Sequence, residues 1–506
     1  MNENLFSKVA ARCEDDAAVF VRHPGGTTLT YGEAFARSAR FAGALAGLGV
    51  EPGDRVAVQV AKSADALLLY LGCLRAGAVF LPLNDGYTGR ELAYFLGDAE
   101  PRVFVVDPAA EKDAKALARD AGVAHVRTLA ADGSGSLADA AAASGSSFTD
   151  VVRRGDDLAA ILYTSGTTGR SKGAMLTHAN LASNAEALVD CWRFERGDVL
   201  LHALPIFHSH GLFVATNVTL LAGASMILLP AFDLDEVVRL LPEATTMMGV
   251  PTFYGRLLTR ADFDRDLVAH VRLFVSGSAP LSAETHRAFE ARTGHAILER
   301  YGMTETNMNT SNPYDGPRRA GTVGRPLPGV DVRIVDRDRG APVAAGEVGM
   351  IELRGPNVFK GYWRQPEKTA EEFRDDGFFV TGDLGTFDAD GYLRIVGRDK
   401  DLIISGGFNV YPAEVENALD ALDGVAESAV IGIPHPDFGE GVTAVVVRDG
   451  DAGPDEQDLR AALAADLAKY KVPKRVLFVD RLPRNQMGKV EKNTLRAHHR
   501  HLYNPT

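Results

Sequence analysis

The segment Tyr163-Thr-Ser-Gly-Thr-Thr-Gly-Arg-Ser-Lys-Gly173 constrains this chain more than any other stretch. It follows an apolar run, Leu158 to Leu162, and precedes a helical pattern, Asn180 to Trp192. Gly166, Gly169 and Gly173 let the backbone curl so that its N–H groups converge on phosphate oxygens. Hydroxyls on Thr164, Ser165, Thr167 and Thr168 add donors, and Lys172 adds charge. Donors this dense between a strand and a helix favour a phosphate loop over a ligand-free hairpin. The loop is not of the Walker type, because Gly166 is followed after four residues by Ser171-Lys172-Gly173 rather than by Gly-Lys-Ser/Thr.

The surrounding pattern alternates helix and strand. Thr30 and Glu33 have capping-box spacing, and an apolar face of Phe35, Ala39, Ala42 and Leu45 runs to a stop at Gly49. Val56 to Val60, Ala78 to Leu81 and Val103 to Asp107 read as buried strands, with a helix over Ser63 to Arg75. This is the signature of βαβ units and a covered, mostly parallel sheet. Ala130 to Ser147, rich in Ala, Gly and Ser, reads as an irregular surface excursion. From Asp331 to Leu393, short strands between Gly and Pro predict a small antiparallel or barrel-like layer. After Gly397 comes about a hundred residues of mixed α and β. They include a helix at Glu414 to Leu422, strands Ser428 to Ile433 and Thr443 to Arg448, a helix near Asp455 to Tyr470, and strand Val476 to Val479.

A chain of 506 residues exceeds what one core usually organises. The net charge of −13 argues against a nucleic acid or an anionic membrane as partner. Leu467 to Arg500 departs from that average, with ten Lys or Arg against two acids, and reads as a solvated face or as a docking surface for polyphosphate. Cys13, Cys73 and Cys191 have no paired spacing, which suits a reducing cytoplasm and no zinc site. The first sixteen residues lack the apolar core of a signal peptide, and the most apolar stretch, Ala66 to Leu83, is broken by Arg75.

The loop resembles the phosphate loop of the adenylate-forming superfamily, which comprises acyl-CoA synthetases, adenylation domains and beetle luciferases. Ser171 replaces the proline many members carry. The remaining superfamily motifs appear in order over essentially the whole chain. Gly277-Ser278-Ala279-Pro280 resembles the segment against adenine. Tyr301-Gly302-Met303-Thr304-Glu305 resembles the acyl-adenylate motif. There the resemblance gives Tyr301 the adenine ring, Thr304 the α-phosphate and Glu305, with Thr164, the Mg²⁺ ion. By the same likeness Asp383 takes the ribose hydroxyls, Arg398 contacts ribose or phosphate, and Lys400 is the hinge. Gly406, Gly407, Phe408 and Asn409 resemble the loop bordering the pantetheine tunnel of coenzyme A, and Lys489 is placed as the catalytic lysine.

The implied fold is α/β, with a large N-terminal domain at 1–398 built of two βαβ-type sheets plus a small β-barrel. A mobile α+β lid domain follows at 399–506. The implied activity joins a carboxylic acid to coenzyme A through an acyl-adenylate, consuming ATP with Mg²⁺. A carrier-protein loader, a luciferase-like oxidase and an adenylate sensor that has lost turnover are the rivals. No carrier domain follows Lys489, the basic acyl pocket disfavours an oxidase, and the intact Lys172, Glu305, Asp383 and Lys489 disfavour a sensor.

For the acid, Arg300 stands immediately before the Tyr301 motif, where a cation can meet a second carboxylate a few bonds from the reacting one. The bland alternative pairs Arg300 with Glu299 or Glu305 and leaves Arg256 ending a helix in solvent. LPIFHSHGLF, GVPTFYGRLL and LERYGMTETNMNTSNPYDG resemble the malonyl-CoA synthetase family. That likeness implies malonate, with methylmalonate slower. Arg256, Arg300 and His208 would hold its distal carboxylate, with Met308 near the methylene. Another short acid remains the alternative substrate.

Overall fold

The computed structural model describes residues 2–164, 171–337, 339–450, 453–485 and 488–503. Ser165, Gly166, Thr167, Thr168 and Gly169 of the expected phosphate loop therefore lie outside the described residues.

Local signals set the first elements. Thr30 caps helix Tyr31–Gly47 through the reciprocal Glu33 bond, and Ser63 caps Ala64–Ala76, which ends where Gly77 turns left-handed at φ 70°. The helix Ala64–Ala76 is buried along its whole length, so its apolar residues do not keep to one face. One six-stranded sheet runs in the order His125–Thr128, Val103–Val106, Arg55–Gln59, Val79–Pro82, Leu158–Thr164, Lys172–Thr177. Its strands are parallel except the last pair, which is antiparallel. A nine-stranded sheet has a parallel centre that includes Val199–His202, Thr246–Gly249, Leu273–Ser276 and Leu298–Met303, with antiparallel strands at both margins. Carboxyl ends of parallel strands are where such folds present ligand groups, and Ser276 and Met303 both end strands that open on the site described below.

Asp331–Val335, Gly349–Arg354, Phe379–Phe387 and Leu393–Arg398 form a four-stranded antiparallel sheet, in the stretch where short strands were expected. A short 3₁₀ turn, Asp399–Asp401, leads from it to a five-stranded sheet that contains Val425–His435 and Gly439–Arg448. That sheet has its own apolar core, built on Val415, Val430, Val442, Leu459 and Leu463. No helix among the described residues is long and apolar enough to cross a membrane.

Two expectations change. The Ala130 to Ser147 stretch contains a helix, Ser136–Ala143, whose Leu137 and Ala141 are buried. An alanine-rich helix shows little periodicity because Ala reads as apolar on every face, and so the sequence hid it. The phosphate loop is flanked by strands on both sides, not by a strand and a helix. Leu158–Thr164 and Lys172–Thr177 pair antiparallel with Thr164 directly opposite Lys172, and the helix begins only at His178.

Candidate active site

The antiparallel register carries Thr164 and Lys172 to the two sides of the loop mouth. Lys172 Nζ pairs with Glu372 at 2.9 Å and lies 4.0 Å from the centroid of the Tyr362 ring. Neither Tyr362 nor Glu372 was singled out in the sequence. The signal the sequence offers for them is an aromatic and acidic stretch, Gly361-Tyr-Trp to Glu372. Glu305 sits in the turn between strands Leu298–Met303 and Asn307–Ser311, with Thr304 half-buried beside it. Glu305 is buried, and its Oε1 accepts from Tyr362 at 3.0 Å. Burial pushes its carboxyl up, and Glu372 adds to the shift.

Mg²⁺ suits this donor set. Glu305 and Thr164 offer hard oxygen donors, while no group of three His, Cys, Asp or Glu among the described residues could hold a metal alone. One protein carboxylate completed by substrate phosphates is the usual arrangement for this ion.

Tyr301 donates its phenolic hydrogen to Asp383 Oδ2 at 2.6 Å, and Arg398 meets Asp383 Oδ1 at 3.2 Å. Tyr301, Asp383 and Arg398 are thus one connected group. Gly302 has to be glycine, because a Cβ there would overlap the Asn307 carbonyl and the tip of buried Met308. Gly277-Ser-Ala-Pro280 follows strand Leu273–Ser276. Ser278 is left-handed at φ 72°, an uncommon conformation for a residue with a Cβ, and its Oγ lies 3.1 Å from His210 Nδ1.

Arg300 is 3% exposed, and its Nε and Nη2 have no hydrogen-bond partner among the described residues. Its guanidinium lies against Gly277, where a Cβ would overlap it. The structural pairing with Glu299 does not form. Glu299 turns Oε1 to the Leu281 N–H at 3.2 Å, and burial pushes its carboxyl up to about 8, a shift that the nearby Arg300 charge opposes. Burial also pushes Arg300 down to about 9. His208 accepts from the His210 N–H at 3.3 Å and is held down to about 3 by burial and by the charges of Lys489 and Arg300. It is therefore a neutral polar wall. Arg256 does not join this group. It stands exposed on the last turn of helix Pro251–Leu258, 5.9 Å from the Phe232 ring centroid, and is not among the charges acting on Arg300 or His208.

Lys489 comes from the C-terminal sheet domain, yet its surroundings belong to the large one. Burial and the charge of Arg398 push it down to about 8, while Asp383 and Glu305 oppose the shift. Its side chain still presents surface, as expected of a group standing in an open cleft. Next to it, Gly488 approaches Thr252 at the start of helix Pro251–Leu258. Burial and the nearby Arg398 charge also push Lys400, in the connecting turn, down to about 8. Gly406 and Gly407 are left-handed at φ 60° and 82°, and Phe408 is 57% exposed, stacked 4.8 Å from Tyr470. Nearby, Phe438, Arg460, Lys469 and Lys474 line a groove of about 700 Å³.

The chain matches the model of the AMP-binding enzyme family over residues 6–363 and that of the AMP-binding enzyme C-terminal domain over residues 414–489. Crystal structures of MatB from Rhodopseudomonas palustris are 58% identical over 100% of both chains, with a TM-score of 0.98 for the ATP-bound form and 0.87 for the apo form. A feruloyl-CoA synthase of an Amycolatopsis species is 40% identical over 95% of each chain. The malonate–CoA ligase of Arabidopsis thaliana is 35% identical over 89% of this chain and 79% of its own.

Proposed function

The chain belongs to the AMP-binding enzyme family, and from that premise we propose that it ligates malonate to coenzyme A through malonyl-adenylate, releasing AMP and pyrophosphate. The observation that carries the choice of acid is Arg300, a buried cation whose adjacent donors Nε and Nη2 have no acceptor among the described residues. A guanidinium fork binds a carboxylate through two parallel hydrogen bonds, and a monocarboxylate such as ferulate would leave it buried and unpaired. Neutral His208 can add a further polar contact, and Met308, pinned by Asn184 through both backbone atoms, bounds the space for the methylene. A methyl branch at that carbon would crowd this wall, which makes methylmalonate the slower substrate. Arg256 stands at the rim in this reading and can contribute only by turning inward.

In the first half-reaction one oxygen of the reacting carboxylate attacks the α-phosphorus of ATP, and the bond to pyrophosphate breaks. Lys489 stabilises the charge growing between carboxylate and phosphate, a role suited to a compact ammonium on a flexible stem. Tyr301, Asp383 and Arg398 hold the nucleoside, Lys172 holds the outer phosphates, and Glu305 with Thr164 holds Mg²⁺. When bound, that ion neutralises the leaving pyrophosphate. In the second half-reaction the thiol sulfur attacks the acyl carbon, AMP leaves, and the thiol proton passes to solvent. Lys489 has to withdraw to open a path for the thiol. The unit at 399–506 rotates about Lys400, and the Gly406–Asn409 loop takes its place, with the Phe438–Lys474 groove offering cations to coenzyme A phosphates. Support comes from the closer likeness to an ATP-bound relative than to an apo one, together with the exposed Phe408. The three free thiols suit a reducing compartment, for which we propose the cytoplasm.

The test is coenzyme A consumption with Mg-ATP and, in parallel, malonate, acetate, succinate, ferulate or a carrier protein as partner. Malonate is expected to give the highest kcat/KM. A preference for ferulate or acetate, or acyl transfer to the carrier protein alone, would overturn the reading.

A further inference from the structure

Residues 359–363 join two parts of the nucleotide site that lie far apart in sequence. Along the strand Lys172–Thr177, the Lys360 N–H donates to Met175 O, the Met175 N–H to Gly361 O and the Trp363 N–H to Gly173 O, at 2.9, 3.0 and 2.7 Å. At its other end the Phe359 N–H donates to Glu305 O at 2.7 Å. This bracket sets the Tyr362 ring beneath Lys172 and its hydroxyl between two carboxylates, 3.0 Å from Glu305 Oε1 and 2.6 Å from Glu372 Oε2. Glu372 then meets Lys172 with its other oxygen at 2.9 Å, and Lys368 approaches the same oxygen at 3.5 Å.

We propose that Glu372 and Tyr362 are positioning residues for ATP, holding the phosphate-loop lysine and coupling it to Glu305. A lysine stem is flexible, and its ammonium has three donors. Glu372 occupies one donor and the Tyr362 ring fills the face below, which leaves the remaining donors to turn toward a polyphosphate. The pair therefore orients Lys172 without using up its donors. Glu372 ends the short helix Pro366–Glu372, two hundred residues beyond Lys172, and its role exists only through the fold.

The inference rests on the nucleotide site proposed above but not on the identity of the acid. It is tested by calorimetric titration of ATP into the full-length protein, with pyrophosphate exchange alongside. Glu372→Gln is expected to raise the ATP Kd about tenfold, the scale of one charge-assisted hydrogen bond. In a Lys172→Ala background the same change is expected to do less than about twofold, because its target is gone. The KM for malonate in the exchange assay should move little while that for ATP rises. Tyr362→Phe keeps the ring and removes only the hydroxyl. It should weaken ATP binding less, and non-additively with Glu305→Gln. Glu372→Asp should fall between the wild type and Glu372→Gln, and it replaces that variant if the latter fails to fold. Equal losses with and without Lys172, or tighter ATP binding by Glu372→Gln, would overturn the proposal while sparing the function. Absence of ATP binding by the unaltered protein would overturn both.

Discussion

Arg300→Met tests the acyl pocket because the structure gives it two opposite consequences. Nε and Nη2 form an edge of the guanidinium of the kind that meets a carboxylate through parallel bonds, and both lack acceptors among the described residues. Each charge-assisted bond to a substrate carboxylate contributes about 1.5–3 kcal/mol, so losing both removes about 3–6 kcal/mol, or roughly 100- to 10,000-fold in kcat/KM for malonate. In the ligand-free protein the same cation is a burden. Burial holds its guanidinium down to about 9, well below its ordinary range, so the folded protein is destabilised by keeping the group charged. Methionine keeps a shorter, unbranched apolar stem without the charge, so Tm without ligand should rise by about 2 °C or more. Malonate, which stabilises the wild type by binding it, should no longer raise Tm in the variant. The assays are thioester formation with malonate against propionate, and thermal melts with and without malonate. A variant that keeps its preference for malonate, or that melts lower than wild type, would refute the reasoning and make Arg300 a structural residue.

Gly277→Ala should act on the same group, since the new methyl displaces the Arg300 guanidinium. Malonate kcat/KM is expected to fall at least about tenfold, and an unchanged value would show that the guanidinium position does not matter. Lys489→Ala should cut adenylation, read by pyrophosphate exchange, by about 100- to 1,000-fold, yet leave thioester formation from supplied malonyl-adenylate nearly intact. Equal loss of both half-reactions would contradict the assigned role. The pH dependence follows from the same lysine. With its protonated form active and its value near 8 in the free enzyme, kcat/KM for adenylation should be level below pH 8 and fall as pH rises through it. A profile level to pH 9.5 would count against that protonation state.

Much of this was legible from the sequence, for physical reasons that differ by residue. The Thr30–Glu33 capping box and the Gly77 stop are contacts within one turn, so sequence spacing alone fixes them. Lys172, Glu305, Asp383 and Lys489 stand in short motifs whose chemistry is local, and the order of those motifs identified the family. Tertiary structure decided what depends on distant neighbours. Arg256 and Arg300 are the same residue type, but Arg256 is exposed while Arg300 is buried with Nε and Nη2 lacking acceptors among the described residues, because Glu299 beside it is turned to Leu281. The flanking of the phosphate loop by two strands comes from pairing with the sheet, and the partnership of Lys172 with Glu372 comes from the bracket at 359–363. Burial and long-range charge are sums over the whole fold, and no window of sequence contains them.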